Sequence, residues 1–273
     1  MTSKILITGE TGLVGNALKT IIGDAIFVSS ADANLKYAYE ANALLSKYQP
    51  ETIIHLAANV GGLFKNIQQK VEMFEDNILI NTNILKASYC HNVKNFIGCL
   101  STCIFPDKIT YPINETMLFD GPPHVSNYGY AYAKRMMEIQ CRCYREQYRL
   151  NYRCIIPTNI YGPHDNFNTT DGHVIPSLIH KCYLAKKNKT DFEIAGTGRP
   201  LRQFIYSLDL ANIIVKLSKI DFSDPIIIAN SVEHSITDIA ELIANKLNYS
   251  SSLVYDISKP DGQYKKTADN TRL

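Results

Sequence analysis

The sequence predicts an α/β fold: a doubly wound parallel sheet joined to a smaller α/β lobe. Three observations carry that expectation. Apolar runs of strand length alternate with longer stretches of helical spacing through the first half of the chain, as when helices cover both faces of a parallel sheet. A glycine-rich segment, ITGETGLVG, lies at the first strand-to-helix junction. The chain has 273 residues, 45% apolar and 20% charged, enough to bury a large core without disulfide staples.

The elements follow in order. KILIT (4–8) is a short buried-strand run, and GLVGNALKTII (12–22) continues with helical spacing. IFVSS (26–30) is a second strand, EANALLSKY (40–48) a helix and TIIHLAA (52–58) a third strand. A long helical pattern over 71–89 leads to a strand at NFIGCLST (95–102) and a helix over 129–148. RCIIPTNIYG (153–162) reads as one more strand running into a loop. Beyond it, HVIPSLIHKCYLAKK and SITDIAELIANKL have helical spacing, while FEIAG, QFIYS, IIIAN and LVYDI read as strands. No internal repeat or low-complexity linker separates the lobes.

Composition excludes several classes. The net charge of +2, from 28 basic and 26 acidic residues, gives no electrostatic case for nucleic acid or an anionic membrane. No apolar run approaches the roughly 18 residues of a membrane span. The first strand starts almost at the N-terminus of the sequence, so no signal peptide is expected within it. Seven cysteines are an odd number without a CxxC pair; Cys141 and Cys143 point apart on a helix. Reduced thiols in a cytoplasmic compartment are expected, and no metal-ligand set is read.

Gly9, Gly12 and Gly15 in the first loop suit a pyrophosphate, because backbone amides and a helix N-terminus meet it where small residues allow close approach. The fold is thus Rossmann-like. At the end of the second strand, where an NAD enzyme usually carries a carboxylate for the ribose 2′-hydroxyl, stand Ser29 and Ser30. Hydroxyls tolerate a 2′-phosphate, so NADP(H) is the expected cofactor, with Asp32 close by. HLAA (55–58) ends the third strand on the small residues Ala57 and Ala58, and His55 is read as a hydrogen-bonded strand histidine.

YGYAYAK places Tyr130 and Lys134 at i, i+4 on one helix face. A phenol with a pKa of about 10 is a poor acid at neutral pH, and an ammonium one turn away is expected to favour its ionised form. Tyr128 and Tyr132 have no lysine at that spacing. Ser101, at a strand end some thirty residues upstream, completes a Ser–Tyr–Lys carbonyl-reduction set. Cys103, two residues on, reads from strand logic alone as a buried small hydrophobe.

The GxxGxxG spacing with YxxxK resembles the extended branch of the short-chain dehydrogenase/reductase superfamily. More specifically, GLVG, FVSS, HLAA with VGGLFKNI, CLSTCIFPDK, NYGYAYAKRM, PTNIYGPHDNF, DGHVIP, RQFIYSLDLA and DGQYKKTA resemble the GDP-L-fucose synthase family of 3,5-epimerase/4-reductases over nearly the whole chain. The resemblance implies that Cys103 is the base and His173 the acid of epimerisation. It assigns carbonyl reduction to Ser101, Tyr130 and Lys134. NADP(H) would be held by Gly9, Glu10, Thr11, Gly12, Leu13, Val14, Gly15, Ser29, Ser30, Ala57, Ala58, Lys134, Pro157, Thr158, Asn159, Ile160 and His173. Asn159, Lys181, Arg202 and Asp261 would hold the nucleotide sugar. Residues 1–156 would form the NADP-binding Rossmann region. Residues 157–273 would form mainly the substrate-binding lobe, interleaved with late Rossmann strands near 203–230. A homodimer through two helices of each copy is also implied.

Two departures stand out. Ala195 occupies a position in FEIAGTG where the family usually carries Trp, which would alter packing around the nucleotide sugar. The family also continues for some tens of residues past ADNTRL, and a shortened terminus would loosen the substrate lobe. Two rival readings are an epimerase/reductase of a UDP- or dTDP-linked 4-keto-6-deoxysugar and a non-catalytic NADP-binding module. Such modules tend to lose the Tyr or Lys, and both are retained here.

Overall fold

The computed structural model describes residues 4–273. The main sheet contains β1 (Ile5–Thr8), β2 (Ile26–Val28), β3 (Thr52–His55), β4 (Asn95–Cys99), β5 (Asn151–Pro157) and β9 (Ile226–Ile228), all parallel and in the order β2-β1-β3-β4-β5-β9. Alternation along each strand feeds two cores. Leu6, Ile53, Phe96, Tyr152 and Ile227 face one layer, whereas Ile7, Ile54, Ile97, Ile155 and Ile226 face the other.

The first layer is built by α2 (Ala38–Tyr48), α4 (Lys70–Cys90) and α5 (Tyr128–Tyr148). The second is built by α1 (Leu13–Lys19) and α7 (Ser207–Leu217). A short helix, α3 (Leu63–Gln68), precedes α4. Connections leave β1 toward β2 on one side and lead from β2 back to β3 on the other. The crevice beyond the carboxyl ends of β1 and β3 is therefore the switch point where such sheets take ligands.

The smaller lobe has its own core. α6 (Val174–Asn188) and α8 (Ile236–Lys246) pack with β7 (Phe192–Ala195) and β11 (Leu253–Asp256), which pair in parallel. A three-stranded sheet runs β10 (Glu233–Ser235), β8 (Leu201–Tyr206), β6 (Asn159–Tyr161).

Several elements differ from the sequence reading. The expected strand over 153–162 divides at Thr158: β5 stays in the main sheet, while β6 pairs with β8. Thr158 donates its N–H to Ile228 O at 3.0 Å, the last bond of the main ladder. The segment 203–207, expected among late strands of the main sheet, belongs to the small sheet; near 203–230 only β9 joins the main one. Helix α7 was not anticipated. It begins directly at the end of β8, and its Ile213-Ile214-Val215 run has strand-like composition. Burial of Leu210, Ala211, Ile214 and Leu217 against α1 and the sheet outweighs that preference.

Candidate active site

A cavity of about 980 Å³ opens at the switch point and continues into the smaller lobe. Its wall includes every site residue expected from the sequence except Glu10. Glu10 instead pairs with Lys19 on α1 at 2.9 Å.

At one end lies the glycine loop. Gly9 has φ +80°, a left-handed conformation that side chains rarely adopt, and a Cβ there would stand 2.8 Å from Ala57 N. A Cβ on Gly15 would stand 2.3 Å from Gly9 O and 2.8 Å from Glu10 Cα, both rigid backbone. The loop is therefore a concave cradle at the N-terminus of α1 that fits a pyrophosphate. Thr8 Oγ1 accepts from the N–H groups of Leu56 and Ala57 at 3.2 and 3.1 Å, which ties this loop to the end of β3.

Past β2, Asp32 turns away from the cavity wall. Its Oδ2 accepts from Ser29 N at 2.8 Å and Ser29 Oγ at 2.9 Å, and these bonds hold its carboxyl below the usual range. Ser30 and Lys36 line the wall, with the Lys36 ammonium 3.3 Å from Asp76 Oδ1. This end suits a 2′-phosphate better than a carboxylate facing a free 2′-hydroxyl would.

The opening of β4 into a turn explains the Ser101–Cys103 pair. The strand ends at Cys99, earlier than expected, and Ser101 begins a 3-10 turn over Thr102–Ile104. Ser101 Oγ accepts from Cys103 N at 3.4 Å, and both residues line the cavity. Helix α5 fixes this turn from above: Arg135 Nε donates to Ile104 O at 2.5 Å and Lys134 Nζ to Cys99 O at 2.8 Å. The helix thereby presents Tyr130 to the same cavity as Ser101 and Cys103. Tyr128 is exposed and Tyr132 lies 5.5 Å from the Arg135 guanidinium, so neither belongs to the site.

One electrostatic expectation is corrected. Lys134 does not hold the Tyr130 phenol near neutral working range; burial, with the Cys103 and Cys99 thiols beside it, pushes it well above the ordinary value. The Lys134 ammonium gives one of its three hydrogens to the Cys99 carbonyl, and burial lowers its own pKa. Tyr130 is consequently a protonated donor, suited to an oxygen on which negative charge develops.

Burial raises the Cys103 pKa, and the charge of Lys266 is the largest influence opposing that rise. Lys266 also lines the cavity, and burial with neighbouring Arg202 pulls it down to about 8. His173 caps the N-terminus of α6 with extended backbone, makes no side-chain cap bond and lines the cavity. Its Nδ1 lies 3.5 Å from Asp165 Oδ1.

In the smaller lobe Arg202 is only 8% exposed. Its guanidinium donates to the carbonyls of Leu201 at 2.7 Å, Gln263 at 2.6 Å and Tyr264 at 3.3 Å, and burial pushes its pKa down to about 10. Asp261 accepts from Thr197 N and Oγ1 at 2.7 and 2.8 Å, bracing the loop after β7. Ala195, on that strand, leaves a methyl on the wall where an indole was expected, and Lys181 reaches the wall from α6. Asn159 Nδ2 donates to Gln203 O at 2.9 Å.

Lys36, Cys99, Asp165 and Lys266 line the site without having been read from the sequence. Asp165 and Lys266 fall inside recognisable segments, GPHDNF and DGQYKKTA, yet nothing in local spacing aims them at the cavity. His55 behaves as expected: it is fully buried and bonded to Thr8 and Asn81.

The NAD dependent epimerase/dehydratase family model matches residues 5–227. A GDP-L-fucose synthase of Dictyostelium discoideum is 50% identical over 279 residues, covering 98% of this chain and 87% of that one. The crystal structure of a GDP-L-fucose synthetase from Naegleria fowleri bound to NADP superposes with a TM-score of 0.91 at 44% identity, covering 100% of this chain and 87% of that one. A Campylobacter jejuni GDP-6-OMe-4-keto-L-xylo-heptose reductase superposes with a TM-score of 0.92 at 25% identity, covering 99% and 90%.

Proposed function

The chain belongs to the NAD dependent epimerase/dehydratase family and, within it, to the GDP-L-fucose synthases, and from that premise we propose that it converts GDP-4-keto-6-deoxy-D-mannose to GDP-L-fucose. The observation that carries this reading is that Ser101, Cys103, Tyr130, Lys134 and His173 all line one cavity, which the glycine cradle also lines. A ketone at carbon 4 acidifies the hydrogens on carbons 3 and 5. Inverting each centre needs a base on one face and an acid on the other, which are the roles of Cys103 and His173. Thiol and imidazole can both give and take protons in such steps, and the Lys266 charge works against the burial that raises the Cys103 pKa.

Ser101 and Tyr130 donate to the ketone oxygen and stabilise the enolate as charge develops there. After epimerisation the same Tyr130 gives its proton to that oxygen. NADPH, when bound, supplies the hydride to carbon 4. Gly9, Thr11, Gly12, Leu13, Val14 and Gly15 would hold its pyrophosphate, Ser30 and Lys36 its 2′-phosphate, with Ser29 occupied by Asp32, and Lys134 its nicotinamide ribose. Lys181, Arg202, Asp261 and Asn159 hold the sugar nucleotide. Both activities thus use one oxygen-binding pocket.

The protein acts as a homodimer in the cytoplasm on this reading. All seven cysteines are free, in keeping with a reducing compartment. Val71 and Phe74 on α4 and Tyr128 on α5 are exposed around an apolar groove between the two helices, and these two helices form the interface on this reading. Phe74→Glu should yield monomers in sedimentation.

The test of function is incubation with GDP-4-keto-6-deoxymannose and NADPH in deuterated water. Formation of GDP-L-fucose with deuterium at carbons 3 and 5 is expected. No turnover, with turnover of a UDP- or dTDP-linked analogue, would overturn the assignment. Reduction without exchange would leave only a reductase.

A further inference from the structure

We propose that Asp165 is a positioning residue for His173, its buried carboxylate holding Nδ1 of the ring so that Nε2 is presented to the cavity as the proton donor. The inference rests on the functional reading above. The Asp165 side chain is 4% exposed and lines the cavity, while its neighbours His164 and Asn166 are exposed. Oδ1 accepts from Asn166 N at 2.8 Å and lies 3.5 Å from His173 Nδ1. Oδ2 is buried with no hydrogen-bond partner. A carboxylate removed from water with one oxygen unpaired is costly, and the ionisable side chain paired with it is His173. Such contacts are commonly long in the free enzyme and tighten with substrate.

The connection between the two residues is braced. Asn168 Oδ1 accepts from Thr170 N and Asp171 N at 2.8 and 2.9 Å, and Gly172 N donates to Asn168 O at 3.0 Å. Ser177 Oγ donates to Thr169 O at 3.1 Å, and His180 Nδ1 meets Phe167 O at 2.8 Å, so α6 grips the loop. Gly62 N donates to Asp171 O at 2.9 Å; a Cβ on Gly62 would stand 2.5 Å from Gly172 O, so only glycine allows this approach. The carboxylate and the ring are thereby held on one rigid segment.

In the protonation step the electron pair of the enolate carbon takes the proton from Nε2. The Nε2–H bond breaks, a C–H bond forms, and Nε2 recovers its lone pair. The neutral ring keeps its remaining proton on Nδ1, against Asp165, rather than on Nε2 as in free histidine. The next proton comes from bulk water, which reaches the 45%-exposed His173 side chain.

The first measurement is nitrogen NMR of the substrate-free protein with labelled histidine, above the ordinary histidine titration range. The His173 signal is assigned by its loss in His173→Gln. The wild type should carry the proton on Nδ1, and Asp165→Ala should move it to Nε2. Asp165→Asn, of equal size, serves where the alanine variant does not fold. It should slow solvent-deuterium exchange at carbons 3 and 5 roughly tenfold to a hundredfold while NADPH still binds. A wild-type ring protonated on Nε2, or exchange at the wild-type rate in Asp165→Asn, overturns the inference. Absence of exchange in the wild type overturns the functional reading instead, and the tautomer measurement then judges the pair alone.

Discussion

His55 sits at the end of β3, fully buried, with its Nδ1 2.8 Å from Thr8 Oγ1 and its Nε2 3.1 Å from Asn81 Oδ1. Because Thr8 Oγ1 already accepts two backbone N–H groups, its own hydrogen is the one given to Nδ1. His55 is therefore neutral with its proton on Nε2, and a second proton on Nδ1 has no acceptor. Burial, together with the nearby Lys134 cation, pulls its pKa down from 6.5 to about 3. Between those values the unfolded chain binds a proton that the folded chain refuses, so stability rises with pH there and is lost as pH falls. From pH 7 to pH 5 the loss from this residue is about 2 kcal/mol, at 1.36 kcal/mol per pH unit of mismatch. The comparison is His55→Gln, which keeps an acceptor for Thr8 and a donor for Asn81 but does not titrate. Urea unfolding at the two pH values should show the wild type losing about 2 kcal/mol more than the variant. Equal losses would refute both the tautomer assignment and the linkage argument.

Gly15→Ala forces a methyl against the Gly9 and Glu10 backbone; at an overpacking cost of about 1–3 kcal/mol, NADPH affinity should fall roughly tenfold to a hundredfold in a fluorescence titration. Cys103→Ser should lower deuterium exchange at carbons 3 and 5 by about 10²–10⁴ while an already epimerised ketone is still reduced; loss of both activities in a folded variant would refute the division of labour. Tyr130→Phe should lower reduction by a similar factor, about 10²–10⁴, with cofactor binding retained. Lys266→Met removes the charge that most opposes the burial of Cys103. The pH midpoint for alkylation of Cys103, followed by peptide mass spectrometry, should therefore move upward; an unchanged midpoint would detach Lys266 from the thiol.

Much of this was legible in the sequence because the signals are local. The glycines of the first loop, the Tyr130–Lys134 pair on one helical turn, and the Ser101–Cys103 spacing each act through neighbours in the chain. The alternation of Leu6 with Ile7 or Ile53 with Ile54 announces a strand covered on both faces before any partner is known.

Tertiary structure decided what depends on neighbours distant in sequence. It took β8 into the small sheet, made α7 helical by burying its apolar face on α1, and divided one expected strand at Thr158. The roles of charged groups were settled in the same way. Lys134 bonds a carbonyl at the end of β4 rather than the phenol one turn away, because folding places Cys99 O within 2.8 Å. Lys266 comes to influence Cys103, and Asp165 to stand 3.5 Å from His173, through loops whose spacing carries no helix or strand period. A period along the chain reveals which face a side chain occupies; which charge it meets there depends on how the whole chain closes around the cavity.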